Sequence, residues 1–154
     1  MAEEKNQVLI NAAITRFWET IPPVWHSVRD NVRGYAAADF GLTVEQFYVL
    51  RHIRRGARTV SDLAAARKIS NSAISQSVEV LVEKGLLSRS SQKEDRRFVY
   101  LALTDEGNAV LTAIFEKNHA WMEQKLASLS QSDLQVVIHA MNLLDEKLNN
   151  EKND

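Results

Sequence analysis

The sequence predicts a mainly α-helical protein with one small β-hairpin, an α+β fold, and three observations support this prediction. The 154 residues include only two prolines and five glycines, which favours long helices over a fold with many turns. Apolar residues recur at helical spacing on both sides of the middle of the chain. The run from Phe98 to Leu103 instead fits a strand with two distinct faces, which needs a pairing partner.

The composition is that of an ordinary globular chain, with 45% hydrophobic and 25% charged residues. Cysteine is absent, which excludes disulfides, thiol catalysis and thiolate zinc sites and suits a reducing cytoplasm. The first ten residues, MAEEKNQVLI, lack the features of a secretory signal, and no apolar run approaches the roughly 18–20 residues that cross a bilayer. We therefore expect a cytoplasmic protein with no membrane partner.

Charge is distributed unevenly along the chain. Between Arg51 and Arg97 there are eleven basic and five acidic residues, a net charge of +6, whereas the rest of the chain carries −7. A basic middle between acidic flanks indicates a polyanionic partner. The uneven charge by itself does not exclude the alternative, a basic surface that contacts only solvent.

A long first helix is predicted from apolar residues on two heptad rows, with Trp18 and Trp25 beside them. The rows are Ile10, Phe17 and Val24, and Ile14, Ile21 and Val28. Pro22 and Pro23 each remove an amide donor, but the apolar register matches on both sides, which predicts a kink within one helix. Gly34 is expected to end this helix.

Three shorter helices follow, each with its own start signal. The segments 42–47 and 59–62 have the spacing of capping boxes, in which a Thr side chain and a residue three positions later exchange hydrogen bonds with the backbone. A third helix is predicted to start at Ser70 or Asn71 and to end at Gly85. Its apolar residues recur at helical spacing, so one face should be buried.

The rest of the chain is predicted to be a hairpin and two long helices. The strands are expected at Leu86–Ser90 and Phe98–Leu103, with the charged loop between them. Thr104 can cap the first long helix and Ser130 the second. The residues after Leu148 are expected to fray.

Two short helices joined by a tight turn and followed at once by a hairpin predict a winged helix-turn-helix. In such domains the second helix lies in the DNA major groove, with its first residues against the base edges. Here the outward face of that helix is small and polar, and Asn and Gln can pair bidentately with adenine. The candidate groove residues are Asn71, Ser72, Ser75 and Gln76. An ordinary solvent-facing helix is the alternative, although it would more commonly carry Lys and Glu.

The hairpin tip is the candidate wing, and its charged residues are Lys93, Asp95, Arg96 and Arg97. A tip that bears arginine fits a minor groove, whose negative potential favours that side chain. Phosphate would repel Asp95, so we expect this carboxylate to hold Arg97 through a bidentate pair. A charged turn without a role in DNA binding is the alternative.

The stretch DRRFVYLALTDEG, from Asp95 to Gly107, resembles the D-x-R-x-x-x-V-x-L-T-x-x-G signature of the MarR family, the multiple-antibiotic-resistance regulators. The resemblance extends over about Val8 to Leu148 and implies a homodimeric winged helix-turn-helix regulator. The implied parts are an N-terminal dimerisation helix at 8–33, a DNA-binding domain at 40–103 and C-terminal dimerisation helices at 104–149.

The resemblance also implies roles for single residues. Arg97 would enter the minor groove with Asp95 as its partner, and Ser72, Ser75 and Gln76 would face the major groove. Many relatives carry arginine where this chain has Gln76, and no basic residue precedes Lys84 in the predicted recognition helix. Phosphate contacts are therefore expected from the wing and from other cations, namely Arg54, Arg55, Arg58, Arg67 and Lys68.

A homodimer also follows from the size of the domain. A winged domain of about 60 residues has a modest core, and the apolar stripes at Ile10–Val32 and Leu134–Leu148 exceed what it can cover. A twofold partner would cover them and would present a second recognition helix. The expected DNA partner is then a double-stranded, pseudo-palindromic operator with half-sites about one helical turn, roughly 10 bp, apart.

No cofactor is expected, but the resemblance implies a small-molecule effector in a cleft between the dimerisation and DNA-binding parts. Aromatic residues with a few polar neighbours suit a planar aromatic or phenolic molecule. The candidate cleft residues are Trp18, Trp25, His26, Phe47, Tyr48, Arg51, Phe115 and His119. Each of them could instead serve the core or an interface.

An enzyme is not expected, because the sequence has no phosphate-binding Gly-rich loop, no nucleophile elbow and no suggestive carboxylate pair. The four histidines lack close ligand spacing, so no metal site is predicted. We expect a sequence-specific DNA-binding transcription regulator, a repressor whose DNA affinity responds to a small ligand. The alternative is a winged-helix protein-interaction module without DNA binding.

Overall fold

The structure is a computed structural model that describes residues 2–92 and 95–149, with side chains described for 4–90 and 99–149. Over these residues the chain forms six α-helices and two antiparallel strands, so the predicted mainly α-helical fold with a small hairpin is confirmed. The elements are α1 (Ala2–Phe40), α2 (Val44–Arg54), α3 (Val60–Arg67), α4 (Asn71–Glu83), β1 (Leu87–Gln92), β2 (Asp95–Leu103), α5 (Asp105–Leu126) and α6 (Gln131–Asn149). The chain divides into two compact units, Met1–Asn118 and His119–Asp154. Among the described residues, no helix is both long and apolar enough to cross a membrane.

The first helix extends beyond its predicted end. α1 runs without interruption through residues 22–23 and through Gly34, so the predicted end at Gly34 is wrong. A glycine in a helix costs only about 1 kcal/mol relative to alanine. On either side of it, Val32 and Ala36 are buried in the core, which holds this stretch in the helix. The chain turns at Gly41, whose φ of +59° lies in the left-handed region that glycine adopts without strain.

Local capping signals start the three short helices, as predicted. Thr43 and Gln46 form a capping box at α2, with hydrogen bonds of 2.9 and 3.2 Å between side chain and backbone. Thr59 and Asp62 form a second box at α3, with bonds of 2.9 and 3.1 Å. Ser70 caps α4. These bonds satisfy amide groups that the first turn of each helix leaves without an intrahelical partner.

The buried apolar residues of the first unit form one cluster to which every element from α1 to α5 contributes. α2 lies at its centre, with Phe47, Val49 and Leu50 at most 2% exposed. α4 adds Ile74 and Val78, which are fully buried. Because one face of α4 is committed to this core, its opposite face is left to solvent.

The hairpin is longer towards its tip than the sequence predicted. β2 begins at Asp95, so residues 95–97 belong to a strand and not to the loop between strands. Their run of charge suggested a loop, but charged residues are compatible with an exposed antiparallel strand. Nearer the base, Leu101 is buried opposite Arg89 of β1. The Leu101 amide also donates to the Arg58 carbonyl oxygen at 2.8 Å, which ties the hairpin to the connection between α2 and α3.

The second unit holds the end of α5 and the whole of α6. Ser130 and Asp133 cap α6, because the Asp133 amide donates to Ser130 Oγ at 3.2 Å and the Ser130 amide donates to Asp133 Oδ2 at 3.3 Å. Among the described residues of α6 none is buried. Of the apolar residues predicted for its stripe, Ile138, Met141 and Leu148 are exposed, at 60%, 51% and 60%. The apolar stripe predicted for this helix therefore lies at the surface of the single chain.

Candidate nucleic-acid interface

The exposed face of α4 carries all four predicted groove residues. These are Asn71, Ser72, Ser75 and Gln76, whose side chains are exposed. The opposite face is fixed in the core by Ile74, Val78 and Leu81, all with no exposed surface. Short polar side chains near the start of a helix leave room for a close approach of another surface. Their contacts with bases remain a prediction.

The predicted wing residues are only partly within the described structure. Lys93 lies outside the described residues, and the side chains of Asp95, Arg96 and Arg97 lie outside them as well. Their backbone forms the first part of β2, where Asp95 pairs with Gln92 and the register then shifts before the pair of Ser91 and Val99. The predicted Asp95–Arg97 pair and the minor-groove contact of Arg97 therefore stay predictions.

The turn between α3 and α4 has a strained centre. Lys68 has φ +54° and ψ +41°, the left-handed region, and it is the one non-glycine residue with positive φ in the described chain. Two backbone hydrogen bonds close this turn, from the Lys68 amide to Ala65 at 3.4 Å and from the Ile69 amide to Ala64 at 3.2 Å. The side chain of Lys68 is exposed beside the start of α4. A cation at this place is available to a phosphate.

Arg67 differs from the other predicted phosphate contacts, because it is paired inside the protein. Its Nε and Nη2 donate to the two carboxylate oxygens of Glu45 at 3.3 and 3.0 Å. The guanidinium also lies 4.3 Å from the centre of the Tyr48 ring. The hydrogen bond to Glu45 raises the pKa of Arg67. Its phosphate contact stays untested, but the charge that it would offer is already neutralised.

The other predicted phosphate contacts differ in whether their side chains already make contacts within the protein. Arg54 lies 4.7 Å from the centre of the Phe115 ring and donates to Thr112 Oγ1 at 3.3 Å, so it packs along α5. Arg55 and Arg58 are exposed. The structure therefore leaves Arg55, Arg58 and Lys68 as the predicted phosphate contacts that face solvent without a contact of this kind.

The exposed end of α2 has a positive local field. Burial, followed by the charges of Arg67, Arg51 and Arg55, lowers the pKa of His52, and Glu45 opposes this effect. Burial and the neighbouring Arg55 also lower the pKa of Arg51. Burial disfavours a charge of either sign, so only the smaller part of these shifts, which comes from the neighbouring arginines, favours an anion.

The structure brings together only some of the predicted cleft residues. Phe47 contacts Tyr48 and Phe115, with ring centres 5.4 and 5.7 Å apart. Phe47 and Tyr48 are buried, so they form part of the core rather than an open wall. Arg51 is half-buried, and its Nε has no hydrogen-bond partner among the described residues. As ligand contacts these residues remain untested.

The other candidate cleft residues are not joined to that group by any described contact. Trp18, Trp25 and His26 have exposed side chains on α1, and the two tryptophans are 66% and 50% exposed. His119 is exposed and belongs to the second unit. A surface cleft of about 390 Å³ lies elsewhere, beside the end of α2 and β2, and Arg54 and Arg58 line it. Among the described residues there is no cluster of three or more metal-ligand side chains.

Sequence reasoning missed three side-chain contacts between different elements of the candidate interface. Glu45 pairs with Arg67, 22 residues away, and Arg89 of β1 pairs with Glu79 of α4 at 2.7 Å. Lys84 Nζ donates to the Gly41 carbonyl oxygen at 3.2 Å. No local sequence pattern predicts such contacts, because the two partners lie on different elements that only the fold brings together.

Comparisons with known proteins agree with this geometry. Residues 40–97 match the family model described as MarR family. The transcriptional repressor MdtR of Bacillus subtilis is 29% identical over 100 residues, which cover 64% of this chain and 64% of that protein. A second regulator of that organism, YfiV, is 30% identical over 99 residues, which cover 64% of this chain and 62% of YfiV. The matched region thus spans slightly less than two thirds of the length of these relatives.

A solved structure shows the same fold. FabT of Streptococcus pneumoniae, determined in complex with DNA, aligns with a TM-score of 0.71 over 90% of this chain and 99% of its own. The two sequences are 18% identical. At this identity the likeness supports a common fold and does not by itself transfer a ligand or a partner.

Proposed function

We propose that the chain is a homodimeric, sequence-specific DNA-binding repressor of the MarR family of winged helix-turn-helix regulators and that it acts in the cytoplasm, because residues 40–97 match the model of that family. A small organic ligand would set its affinity for DNA. Repression is favoured by the relative named as a transcriptional repressor. DNA binding is favoured by the relative of the same fold that was solved with DNA.

The observation that carries DNA binding is the polar face of α4. Four short polar side chains, including Ser75 and Gln76, are exposed there next to a hairpin. Three exposed cations, Arg55, Arg58 and Lys68, belong to the same unit. Base edges are read by such polar groups, and phosphates by such cations. This combination supports a double-stranded, pseudo-palindromic operator as the partner.

Exposed apolar surface supports the homodimer. In the first unit, α1 exposes Leu9, Ile14 and Trp18 at 69%, 51% and 66%. In the second unit, α6 exposes Ile138 and Met141, three residues apart on one face, at 60% and 51%. Exposed large apolar side chains on one face of a helix are typical of an interface. A twofold partner would cover them and supply the second recognition helix.

An aromatic or phenolic anion is the proposed effector. The half-buried ring of Phe115 and the guanidinium of Arg54, 4.7 Å from its centre, offer an aromatic surface and a positive charge. Arg51 Nε, which has no hydrogen-bond partner among the described residues, adds a donor that an anion could accept from. Titration of phenolic acids into the protein–operator complex should release DNA, and Arg54→Gln should weaken this release. A broad panel without any effect on DNA binding would contradict the effector.

Selection of duplexes from a random pool by the purified protein tests the main proposal. We expect a motif with two related half-sites about one helical turn apart. Affinity should fall steeply with salt, with a slope near −0.9 per phosphate neutralised. Sedimentation of the free protein should give a dimer. Recovery of no motif, or binding by a monomer to a single half-site, would contradict the proposal.

The second candidate is a winged-helix module that binds protein and not DNA. The observation that favours it is the neutral recognition face, because Lys84, the first basic residue after the start of α4, donates to the Gly41 carbonyl oxygen. A module that binds only protein should show no salt-dependent binding to any DNA duplex. The selection experiment therefore decides between the two candidates.

A further inference from the structure

One ion pair joins the hairpin directly to the recognition helix. Arg89 Nη2 of β1 donates to Glu79 Oε2 of α4 at 2.7 Å. The side chains are 38% and 56% exposed, so the pair lies at the surface. Exposed ion pairs contribute little to folding. A role for this pair must therefore be sought in what it holds and what it neutralises.

Glu79 lies three and four residues after Gln76 and Ser75, two of the candidate groove residues. This spacing places its carboxylate on the same exposed face of α4, which we call the reading surface. An isolated carboxylate at that place would face the phosphates of any duplex in contact with the helix. Like charges at an interface oppose association. The positive charge of Arg89 at 2.7 Å removes most of this opposition.

Arg89 is placed to act on the wing. Side chains alternate along a strand, so Arg89 shares its face of β1 with Leu87, which is buried. Its cross-strand neighbour Leu101 is buried as well. Apolar packing thus fixes the base of the hairpin, and Arg89 is the next position of that face towards the tip. A contact from there to α4 ties this face of β1 to the recognition helix.

We propose that Arg89 and Glu79 form a positioning pair for DNA binding. The pair sets the wing at a fixed angle to the recognition helix and masks a carboxylate on the reading surface. This inference rests on the proposed DNA binding. Arg89 then has a different role from Arg55, Arg58 and Lys68. Its guanidinium acts through Glu79 and does not contact phosphate.

Four proteins test the proposal on the selected operator: the parent, Arg89→Gln, Glu79→Gln and the double variant. Arg89→Gln should weaken binding at least tenfold, because it frees the wing and unmasks the carboxylate. Glu79→Gln should cost about threefold or less, since it frees the wing but removes the opposing charge. In the double variant the loss of Arg89 should have little further effect. The salt slope should stay as in the parent for all four.

A direct phosphate contact predicts a different result. Arg89→Gln would then weaken binding equally in both backgrounds and would reduce the salt slope by about 0.9. Either that outcome or parental binding by Arg89→Gln overturns the inference. Asp39→Asn is the matched control, because it breaks another exposed ion pair between two elements, with Lys117 of α5, and Asp39 lies outside the predicted dimerisation and DNA-binding segments. It should bind as the parent does.

A second measurement does not depend on DNA. Amide hydrogen exchange of β1 in the free protein should be faster in both Arg89→Gln and Glu79→Gln than in the parent and in Asp39→Asn. Unchanged exchange would overturn the claim that the pair holds the hairpin. If the parent binds no duplex, the proposed function fails instead, and exchange still reports on the pair.

Discussion

Arg67, at the end of α3, donates hydrogen bonds from Nε and Nη2 to the two carboxylate oxygens of Glu45, at the start of α2. The distances are 3.3 and 3.0 Å. The same guanidinium lies over the Tyr48 ring at 4.3 Å. A bidentate pair with a stacked ring fixes both the position and the plane of the side chain. Since α3 leads into the turn before α4, this contact fixes the point from which the recognition helix starts.

Replacement of Arg67 should therefore act on stability. We expect Arg67→Gln to lower the free energy of unfolding by about 1–2 kcal/mol, because a partly buried pair and a ring contact are lost. Arg67→Lys should recover little of it, since an ammonium group cannot bond both oxygens in one plane. Urea unfolding measures both.

Arg55→Gln is the matched control for this variant, because Arg55 is an exposed cation of the same region. Its effect on stability should stay within about 0.5 kcal/mol, whereas its salt slope for DNA should fall by about 0.9. The reverse pattern, with a stable Arg67→Gln that loses salt dependence, would make Arg67 the phosphate contact.

Lys68 should show opposite effects on stability and on DNA binding. Its left-handed backbone, φ +54°, costs a residue with a Cβ about 1–2 kcal/mol. We expect Lys68→Gly to stabilise the free protein by about 1 kcal/mol and to weaken DNA binding through loss of a phosphate contact. Lys68→Ala should weaken DNA binding equally without stabilising the protein, because alanine keeps a Cβ. Equal stability of the two variants would show that the strain is absent in solution.

Gln76 and Arg97 should affect DNA binding in different ways. We expect Gln76→Ala to change the preferred bases, by about 1–3 kcal/mol at one position, and to leave nonspecific affinity nearly unchanged. Arg97→Ala should weaken operator binding strongly and should relax the preference for a narrow minor groove. Binding measurements on the selected operator and on single-base variants check both. Parental behaviour in both variants would show that the predicted reading residues are wrong.

Features that depend on neighbouring residues were predicted from the sequence better than features that depend on tertiary contacts. The capping boxes at Thr43 and Thr59 and the polar face of α4 were predicted correctly, because each depends on residues within one or two turns. The end of α1 was not, since burial of Val32 and Ala36 outweighs the weak helix propensity of Gly34. The Glu45–Arg67 and Glu79–Arg89 pairs depend on tertiary placement and left no local signal.

Gly107 should be the least replaceable glycine of the chain. A Cβ added there would collide with the Leu86 carbonyl oxygen and would crowd the Leu103 side chain at 3.3 Å. We expect Gly107→Ala to destabilise the protein by about 1–3 kcal/mol, as overpacking does. Gly34→Ala is the control, because no atom lies within 4 Å of its added Cβ. It should stabilise α1 by up to about 1 kcal/mol, as measured by thermal unfolding. Destabilisation by Gly34→Ala alone would reverse this assignment.

His52 should make stability decrease as the pH falls through about 6.5, the ordinary histidine value. Burial and the charges of Arg67, Arg51 and Arg55 lower its pKa in the folded state. The unfolded chain therefore binds more protons as the pH falls through about 6.5, the ordinary histidine value, and stability decreases until the folded state is protonated too. Urea midpoints at pH 7.5 and 5.5 should differ less for His52→Gln than for the parent. His139→Gln, which removes an exposed histidine of α6, should keep the parental difference. A parental pH dependence in His52→Gln would show that the cationic end of α2 does not act on this imidazole.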